Sequence, residues 1–360
     1  MQIVRIELKN FRNHEHLVLG DIGTVLIISG NNAAGKTNTI EALQLLSMHE
    51  SFRKPKIEEL AHRHHKEIPA SISIELREDS TIHTKQVIFK ENTRSYFYNK
   101  KERPSKDLID LIPTVLFTPD DLHIIKGPPE QRRDMLDSLG GRLSKSFAHI
   151  RAEYYRALRH KNSLLRQEEI DLDLLESWNT NLAKLGTSLS KHRQGLSKQL
   201  LEAAAIAYSK ISGGEELQGS YSSNFEDLAW ELSQSREAEI QAGRSLVGPH
   251  KDDLILTING SDTRRFASQG QQRSLALALK IAEIEILSRV CGRSPLLLLD
   301  DVMSELDTAR RGSFIDLIES STQTVLTTTN LGYFEEDFLK RATIVELHNE
   351  TLPLPLGEHE

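Results

Sequence analysis

The sequence predicts an α/β fold of mixed sheets with helices, interrupted by a mostly helical inserted lobe. An apolar run leads through a glycine-rich loop into an amphipathic helix, Lys36 to Leu46. A second apolar run, Leu296 to Leu299, ends in two aspartates, and from Pro129 to about Tyr208 apolar residues recur with helical spacing. We therefore expect an α/β domain formed by residues 1–118 and 240–360, with the helical lobe at residues 119–239.

The first part of the chain alternates apolar and polar residues in the way that is typical of strands. The strand-like segments are 2–8, 24–29, 71–76, 82–89 and 114–117. Alternation resumes after Ser212-Gly213-Gly214, and from about Leu246 the chain returns to strands and long helices. A single sheet domain opened by a helical insertion explains this order better than two independent domains.

Length and composition indicate an ordinary globular protein. The 360 residues exceed the size at which single cores stop growing, about 250–300 residues. No apolar run approaches the ~20 residues of a membrane helix, and Met1 to Ile6 alternates like a strand rather than a signal peptide. The single cysteine, Cys291, excludes an internal disulfide and fits a reducing compartment. We expect a cytoplasmic protein with no membrane segment.

The strongest motif is the loop Gly30-Asn31-Asn32-Ala33-Ala34-Gly35-Lys36-Thr37, which has the pattern GxxxxGK[ST] between a strand and a helix. Backbone N–H groups of such a loop hold phosphates at a helix N-terminus. Lys36 is expected to reach the β- and γ-phosphates and to be catalytic, and the Thr37 hydroxyl to hold Mg²⁺. The motif predicts a nucleoside triphosphate as ligand.

A second acidic ligand for the metal is expected at the end of the run Leu296 to Leu299. Asp300 is predicted to bind Mg²⁺ together with Thr37. Asp301 then lies where a general base, or a group that orients the attacking water, is needed. We predict that Asp301 is catalytic.

The segment Ser268-Gln269-Gly270-Gln271-Gln272, followed by the amphipathic helix Arg273 to Ser288, resembles the signature of ABC-type ATPases. In that class the serine and glycine of this loop meet the γ-phosphate bound to the other subunit. Ser304-Glu305-Leu306-Asp307 resembles the D-loop that crosses the same interface. The resemblance implies an ABC-type P-loop ATPase head that binds ATP and closes into a dimer around it.

Further stretches spread over the chain resemble the RecF family of bacterial recombination mediators, relatives of the SMC head domains. They are Asn10 to Asn13, Phe117 to Leu122, Lys126 to Arg133, Gly248 to Asp253 and Ser268 to Asp307. The resemblance implies an ATP-dependent homodimer that binds DNA at gaps and single-strand/double-strand junctions. It also implies action with RecR and RecO to load RecA in gap repair, replication restart and SOS induction, with slow DNA-stimulated ATP hydrolysis.

The resemblance also assigns site residues. It places the phosphate loop at Asn32 to Thr37, with Thr39 near the α-phosphate and the pair Arg12 and Asn13 near the nucleotide. The signature that reaches across the dimer is Ser268, Gln269, Gly270 and Gln271, with Asp307 beside it.

Three departures from the ABC pattern imply weak turnover. In place of a Q-loop glutamine stand only Thr118, Asp120 and Asp121. In place of a switch histidine the chain has Thr327-Thr328-Thr329-Asn330, and Asp301 replaces the usual glutamate with a shorter side chain.

A basic stretch lies within the predicted helical lobe, although the net charge of the chain is −7. At ~100° per residue five basic residues share one helix face, and Lys161 falls toward the apolar side. The five are Arg142, Lys145, Arg156, Arg159 and Arg166. Such a face is commonly just solvated, and it equally fits DNA phosphates through salt-sensitive contacts. Both interpretations stay open on the sequence.

Two histidine motifs favour structural interpretations. His62-Arg63-His64-His65 lacks a metal-binding pattern and is expected to be solvated surface. His250, in Gly248-Pro249-His250, is expected to organise a turn with Asp252 and Asp253 rather than to act as a base.

Two alternative functions remain open on the sequence. One is the nucleotide-binding subunit of an ABC transporter, which would need a switch histidine. The other is a nucleotide-gated scaffold that binds only proteins.

Overall fold

The computed structural model describes residues 1–320 and 323–348. The chain forms two compact units. The first contains Met1–Pro119 and the chain from Cys291 onward, and the second contains Asp120–Val290. Among the described residues, no helix has the length and apolar character needed to cross a bilayer.

Most of the strands among the described residues lie in the first unit, and a few lie in the second. In chain order they are β1 Gln2–Phe11, β2 His14–Leu19, β3 Val25–Gly30, β4 Ala70–Glu78, β5 Thr81–Lys90, β6 Thr93–Tyr98, β7 Lys101–Arg103, β8 Thr114–Phe117, β9 Leu217–Ser222, β10 Asp253–Ile258, β11 Ser261–Asp262, β12 Leu296–Asp300, β13 Gln323–Thr328 and β14 Thr343–Leu347.

Helices form most of the second unit. In chain order the α-helices are α1 Lys36–Met48, α2 Pro129–Leu143, α3 Lys145–Leu164, α4 Leu172–Ser212, α5 Leu228–Gln234, α6 Arg236–Ala242, α7 Thr263–Phe266, α8 Gln269–Cys291, α9 Thr308–Ser320 and α10 Glu336–Arg341.

The first unit contains two sheets. One is antiparallel, with the strand order β2-β1-β4-β5-β6-β7. The other is parallel, with the order β14-β3-β13-β12-β8. Strands β3 and β12 are apolar and buried along nearly their whole length, as expected of a parallel sheet covered on both faces. The predicted mixed α/β architecture is confirmed.

Helix α1 lies against both sheets of the first unit, because it contacts β12, β13 and β4. Its apolar residues Ile40, Leu43 and Leu46 are buried in one core with residues of β1 and β3. Gln323 joins the sheets through polar bonds: its Oε1 accepts from the Ile3 amide at 2.8 Å, and its Nε2 donates to the Ile3 carbonyl at 2.7 Å. The loop that precedes α1 is therefore attached to a helix that is packed in the core of the first unit.

The second unit contains long helices and a small antiparallel sheet of order β11-β10-β9. Helix α4 has 41 residues, is capped by the Asp171 side chain and ends at Gly213, whose φ is 75°. Phe147, Tyr154 and Leu158 of α3 pack with Leu182 and Leu189 of α4. The mostly helical character predicted for the inserted lobe is therefore seen.

Contacts place the second junction between the units later than the sequence boundary. The expected lobe ended at residue 239, whereas the second unit extends to Val290. Strand β10 pairs with β9 along its whole length, and Lys280 of α8 forms an ion pair with Asp121 at 2.9 Å. These long-range pairings hold residues 240–290 in the second unit, and the sequence pattern gave no sign of them.

The basic stretch does not lie on one continuous helix, so that prediction is wrong. Helix α2 ends at Leu143, and Ser144 caps α3 by accepting from the Phe147 amide. Arg142 belongs to α2 and forms an ion pair with Glu283, while Arg166 lies beyond the end of α3. Lys161 is completely buried against Glu239 at 2.6 Å, as its place on the apolar side predicted.

Candidate nucleotide site and basic groove

The predicted phosphate-binding segments meet at one edge of the parallel sheet. Strand β13 lies between β3 and β12, and all three run in the same direction. The loop after β3, the aspartate pair at the end of β12 and the segment 327–330 at the end of β13 therefore lie at the carboxyl edge of the sheet. In open α/β sheets ligands bind at that edge.

Two glycines are required by the close packing of the loop. Gly30 has φ +147°, and a Cβ there would stand 2.3 Å from the Leu347 carbonyl oxygen. Gly35 has φ +96°, and a Cβ there would stand 2.5 Å from His14 and 2.7 Å from the Asn13 amide group. Larger residues are excluded at both positions.

Lys36 bridges the two ends of this loop. Its Nζ donates to the carbonyl oxygens of Gly30 and Asn31, each at 2.8 Å, and the residue is 6% exposed. The ammonium group is thus held by loop carbonyls, and a bound phosphate would compete with these carbonyls for its N–H groups. The remaining loop residues, Asn31 to Ala34, lie between the two glycines as predicted.

Thr37 and Asp300 come together, as the sequence predicted. The Thr37 hydroxyl donates to Asp300 Oδ1 at 2.9 Å, and the Thr327 hydroxyl donates to the same oxygen at 2.8 Å. A hydroxyl and a carboxylate are hard oxygen donors of the kind that Mg²⁺ prefers. The donor set therefore fits a magnesium ion held by Thr37 and Asp300.

Asp301 has an unusual position beside this pair. Its φ is +47°, and its amide donates to the Thr327 hydroxyl at 2.9 Å. Its Oδ1 is buried and makes no hydrogen bond with any described residue. Burial raises the pKa of Asp301; the Lys36 charge opposes this effect and Asp300 adds to it. A buried acceptor oxygen with a raised pKa suits a group that receives a proton.

The residues expected near the nucleotide on the β1–β2 hairpin have different partners. The Arg12 guanidinium binds Glu41 through two hydrogen bonds of 3.0 and 2.7 Å. Asn13 accepts from the Asn38 amide at 2.6 Å and lies directly against Gly35. Thr39 is completely buried, with its hydroxyl 3.3 Å from the Gly35 carbonyl. Asn13 therefore adjoins the predicted phosphate loop, and Arg12 is held against α1 through Glu41.

The predicted signature forms the start of α8 in the second unit. The Ser268 hydroxyl accepts from the Gln271 amide at 3.2 Å, and the Gln271 side chain accepts from the Ser268 amide at 2.9 Å. This reciprocal capping box fixes the loop. Ser268 and Gln269 stay exposed, and Gly270 is half-buried. Ser268 is therefore the N-cap of α8, and this role is compatible with the signature interpretation.

Asp307 and Ser304 lie in the first unit, after β12. Asp307 is exposed and pairs with Arg310, and the exposed Ser304 donates to the Asp301 carbonyl at 2.8 Å. This turn links the predicted D-loop to the predicted base.

The two segments that stand in place of the Q-loop glutamine and the switch histidine, residues 118–121 and 327–330, are partly buried and partly exposed. Thr118 is buried, and Asp121 binds Lys280, which leaves Asp120 as the exposed carboxylate of the three predicted residues. Thr328 is buried and its hydroxyl bonds to the Asn330 backbone at 3.1 Å. Thr329 and Asn330 are exposed at the carboxyl edge.

An open groove of about 600 Å³ in the second unit is lined by four arginines, Arg133, Arg151, Arg156 and Arg159. Glu130, Asp134, Ala152, Tyr155 and His250 complete its lining. The sequence pattern selected Arg156 and Arg159 but missed Arg133 and Arg151. Those two come from α2 and from another face of α3, so no single helical periodicity unites the four.

His250 has the structural role expected of it. Its Nδ1 lies 2.8 Å from the Tyr154 hydroxyl and its Nε2 lies 3.5 Å from the Ser245 carbonyl. Burial lowers the pKa of His250 to about 4, so the ring is neutral at pH 7. Nearby, Asp252 accepts from Ser190 at 3.0 Å and from Tyr221 at 2.5 Å.

Comparison with known proteins gives consistent matches along the chain. The family described as RecF/RecN/SMC N terminal domain matches residues 2–350. The DNA replication and repair protein RecF of Cyanothece sp. (strain PCC 7425 / ATCC 29141) is 35% identical over 366 residues, covering 96% of each chain.

Two solved structures of the recombination mediator protein RecF in the RecFOR pathway also match. The first, described as RecF-ATPrS, has a TM-score of 0.86 and 31% identity, covering 96% of each chain. The second, described as RecF-ATP, has a TM-score of 0.83 and 33% identity, covering 92% of this chain and 93% of the other.

Proposed function

The chain belongs to the RecF family within the RecF/RecN/SMC N-terminal domain class, and from this we propose that it is an ATP-dependent DNA-binding recombination mediator. ATP closes two copies into a dimer that holds DNA at gaps and single-strand/double-strand junctions. Slow DNA-stimulated hydrolysis of ATP resets this clamp. The observation that carries the proposal is the meeting of Thr37 and Asp300 beside Lys36 at the carboxyl edge of the parallel sheet.

Nucleotide binding rests on the geometry of that edge. Lys36 and the N–H groups of residues 30–37 bind the phosphates of ATP, and Thr37 and Asp300 hold Mg²⁺. When bound, Mg²⁺ neutralises negative charge on the phosphates. Asp301 orients the attacking water and takes its proton, for which its buried, unbonded oxygen is suited. The short side chain of Asp301 and the missing switch histidine fit a weak ATPase.

Dimer closure rests on the exposed start of α8. Ser268, Gln269, Gly270 and Gln271 of one copy complete the phosphate site of the other, with Asp307 at the same interface. The capping box holds the Ser268 loop in one conformation before any partner arrives. Phe266 is 71% exposed two residues earlier, which supplies apolar surface for the interface.

DNA binding rests on the arginine groove of the second unit. Arg156 and Arg159 are exposed at its rim, and Lys145 and Arg166 lie exposed at the two ends of α3. Hydrogen bonds from guanidinium groups to phosphate oxygens do not depend on the base sequence. Arg142, whose guanidinium pairs with Glu283, does not belong to this surface.

The cellular setting follows from the relatives. We propose that the protein acts in the cytoplasm with RecR and RecO to load RecA in gap repair, replication restart and SOS induction. A transporter subunit is the weaker candidate, because the segment after β13 offers Thr329 and Asn330 where a histidine is needed.

The proposal predicts that ATP raises DNA affinity by at least about tenfold. Both ATP and DNA bind the closed dimer more tightly, so each raises the affinity for the other. The measurement is fluorescence anisotropy with gapped and fully duplex DNA, with and without ATP, alongside sedimentation of the protein alone. Equal affinities in both conditions, or a monomer at saturating ATP, would contradict the clamp.

The groove predicts a specific change in salt dependence. The double variant Arg156→Gln/Arg159→Gln is expected to weaken binding to any DNA sequence by about tenfold and to lower the salt slope by about 1–2. The matched control, Lys184→Gln/Arg236→Gln, removes the same charge from exposed positions of α4 and α6. If both variants shift the slope equally, overall charge rather than the groove explains binding.

A further inference from the structure

Residues 60–68 form a loop that is fixed to the β1–β2 hairpin. The His62 amide donates to the Asn10 carbonyl at 3.0 Å, and the Arg12 amide donates to the Leu60 carbonyl at 2.8 Å. The Asn10 side chain donates to the carbonyls of His65 and Ile68 at 2.9 and 2.5 Å. Asn10 itself is buried and has φ +51°. The backbone of this loop is therefore held in a defined position.

The loop carries two histidines to a carboxylate of β2. One ligand-type atom from each of Glu15, His62 and His65 lies within 4.8 Å of the others. His65 Nε2 is 3.5 Å from Glu15 Oε1, which is about the separation of two ligand atoms on a tetrahedral zinc ion. His62 is only 7% exposed, so the expectation that all these histidines are solvated surface is wrong.

We propose that Glu15, His62 and His65 form a zinc-binding site. Two imidazoles and one carboxylate are a set of ligands that Zn²⁺ accepts, with a fourth position left for water. Mg²⁺ prefers oxygen ligands throughout, so this site differs in chemistry from Thr37 and Asp300. The three residues come from two segments far apart in sequence, which the sequence pattern alone does not connect.

A second carboxylate supports His65 from its other side. His65 Nδ1 lies 4.0 Å from Glu67 Oε1, while Nε2 faces Glu15. Histidine ligands of zinc commonly donate their second ring N–H to a carboxylate, which orients the ring. At 4.0 Å the two atoms are beyond hydrogen-bond distance, so Glu67 acts on the His65 ring through its charge alone.

The site joins residues 60–68 to the hairpin that also carries Arg12 and Asn13. Asn13 contacts Gly35 of the phosphate loop, and Arg12 binds Glu41 of α1. Zinc would therefore stabilise the hairpin next to the phosphate loop without taking part in phosphate chemistry. The inference does not depend on DNA binding or dimerisation.

The test is a calorimetric titration of the full chain with ZnCl₂, after removal of any affinity tag and of bound metal by a chelator, without nucleotide. One equivalent of Zn²⁺ is expected to bind and to raise the melting temperature. Glu15→Gln and His65→Ala are expected to lower the affinity by at least ~100-fold, and Glu67→Gln by less than ~10-fold, because Glu67 is exposed and makes no hydrogen bond to His65. These side chains are partly exposed, at 56% for Glu15 and 42% for His65, so the variants should fold.

His64→Ala is the matched control, because His64 lies in the same loop but outside the three-residue cluster. It should keep the wild-type zinc affinity. Zinc binding should also persist in Asp300→Asn, which separates this site from the magnesium ligands. Equal affinity in the wild type, Glu15→Gln and His65→Ala, or no binding at micromolar zinc, would overturn the proposal.

Discussion

Replacing Lys36 with alanine is expected to abolish ATP-dependent dimerisation and to return DNA affinity to its value without ATP. Lys36 is 6% exposed, and its ammonium group donates to two loop carbonyls, where it would neutralise phosphate charge. Loss of charge-assisted hydrogen bonds worth about 3–6 kcal/mol in total lowers ATP affinity by at least about 100-fold. ATP affinity, sedimentation and DNA anisotropy measured on the same preparation check this result.

The control is Lys56→Ala, which removes a lysine that is 77% exposed in the same unit. It should bind ATP and DNA like the wild type. An unchanged circular dichroism spectrum and melting temperature for Lys36→Ala would show that the loop folds without the side chain. If Lys36→Ala still forms an ATP-dependent dimer, the assignment of the phosphate loop is contradicted.

The variant Asp301→Asn is expected to trap the ATP-bound dimer, with hydrolysis slowed by about 10²–10⁴-fold, the usual contribution of a general base. Asparagine tolerates the left-handed backbone conformation at this position, where φ is +47°, so the turn should persist. The asparagine side chain cannot take a proton from water. The hydrogen bond that the backbone N–H of residue 301 donates to the Thr327 hydroxyl does not depend on the side chain and is preserved.

Single-turnover hydrolysis and the dissociation rate of the ATP dimer measure this effect. Glu305→Gln provides a matched control, since it removes a nearby carboxylate charge but keeps the Asp301 side chain; losing that charge only lessens the rise in the Asp301 pKa, so hydrolysis should be affected far less than in Asp301→Asn. DNA affinity in the presence of ATP should be kept or strengthened in Asp301→Asn. A dimer that separates at the wild-type rate would show that another group activates the water.

Local segments were predicted well from the sequence. Strand β8 was placed at its observed bounds, Thr114–Phe117, and α1 begins at the predicted Lys36. The glycine spacing of the predicted phosphate loop agrees with its backbone, because Gly30 and Gly35 both have positive φ. Such features depend on a few neighbouring residues, which the sequence displays directly.

Helix breaks and distant pairings were predicted less well. A periodicity of ~100° continued through Ser144, although that residue caps a new helix and separates Arg142 from the others. The Ser144 hydroxyl can accept a hydrogen bond from a backbone N–H in place of a helix carbonyl, which ends one helix and starts another. Only the packed structure shows that the chain breaks here rather than continuing as one helix. The sequence did not predict that the Arg12 guanidinium binds the buried carboxylate of Glu41, and the place of Arg12 near the nucleotide stays a prediction.

The sequence by itself determined the α/β class, and it predicted the phosphate loop, the aspartate pair and the signature serine, because each depends on local spacing and chain conformation. The tertiary structure decided which distant residues share a site. The strand order β14-β3-β13-β12-β8 brings the Thr327 hydroxyl within hydrogen-bond distance of both Asp300 and Asp301. Helix packing adds Arg133 and Arg151 to the groove. The β1–β2 hairpin brings Glu15 to His62 and His65. Strand pairing and helix packing are chosen by burial of the whole core, so no local pattern contains them.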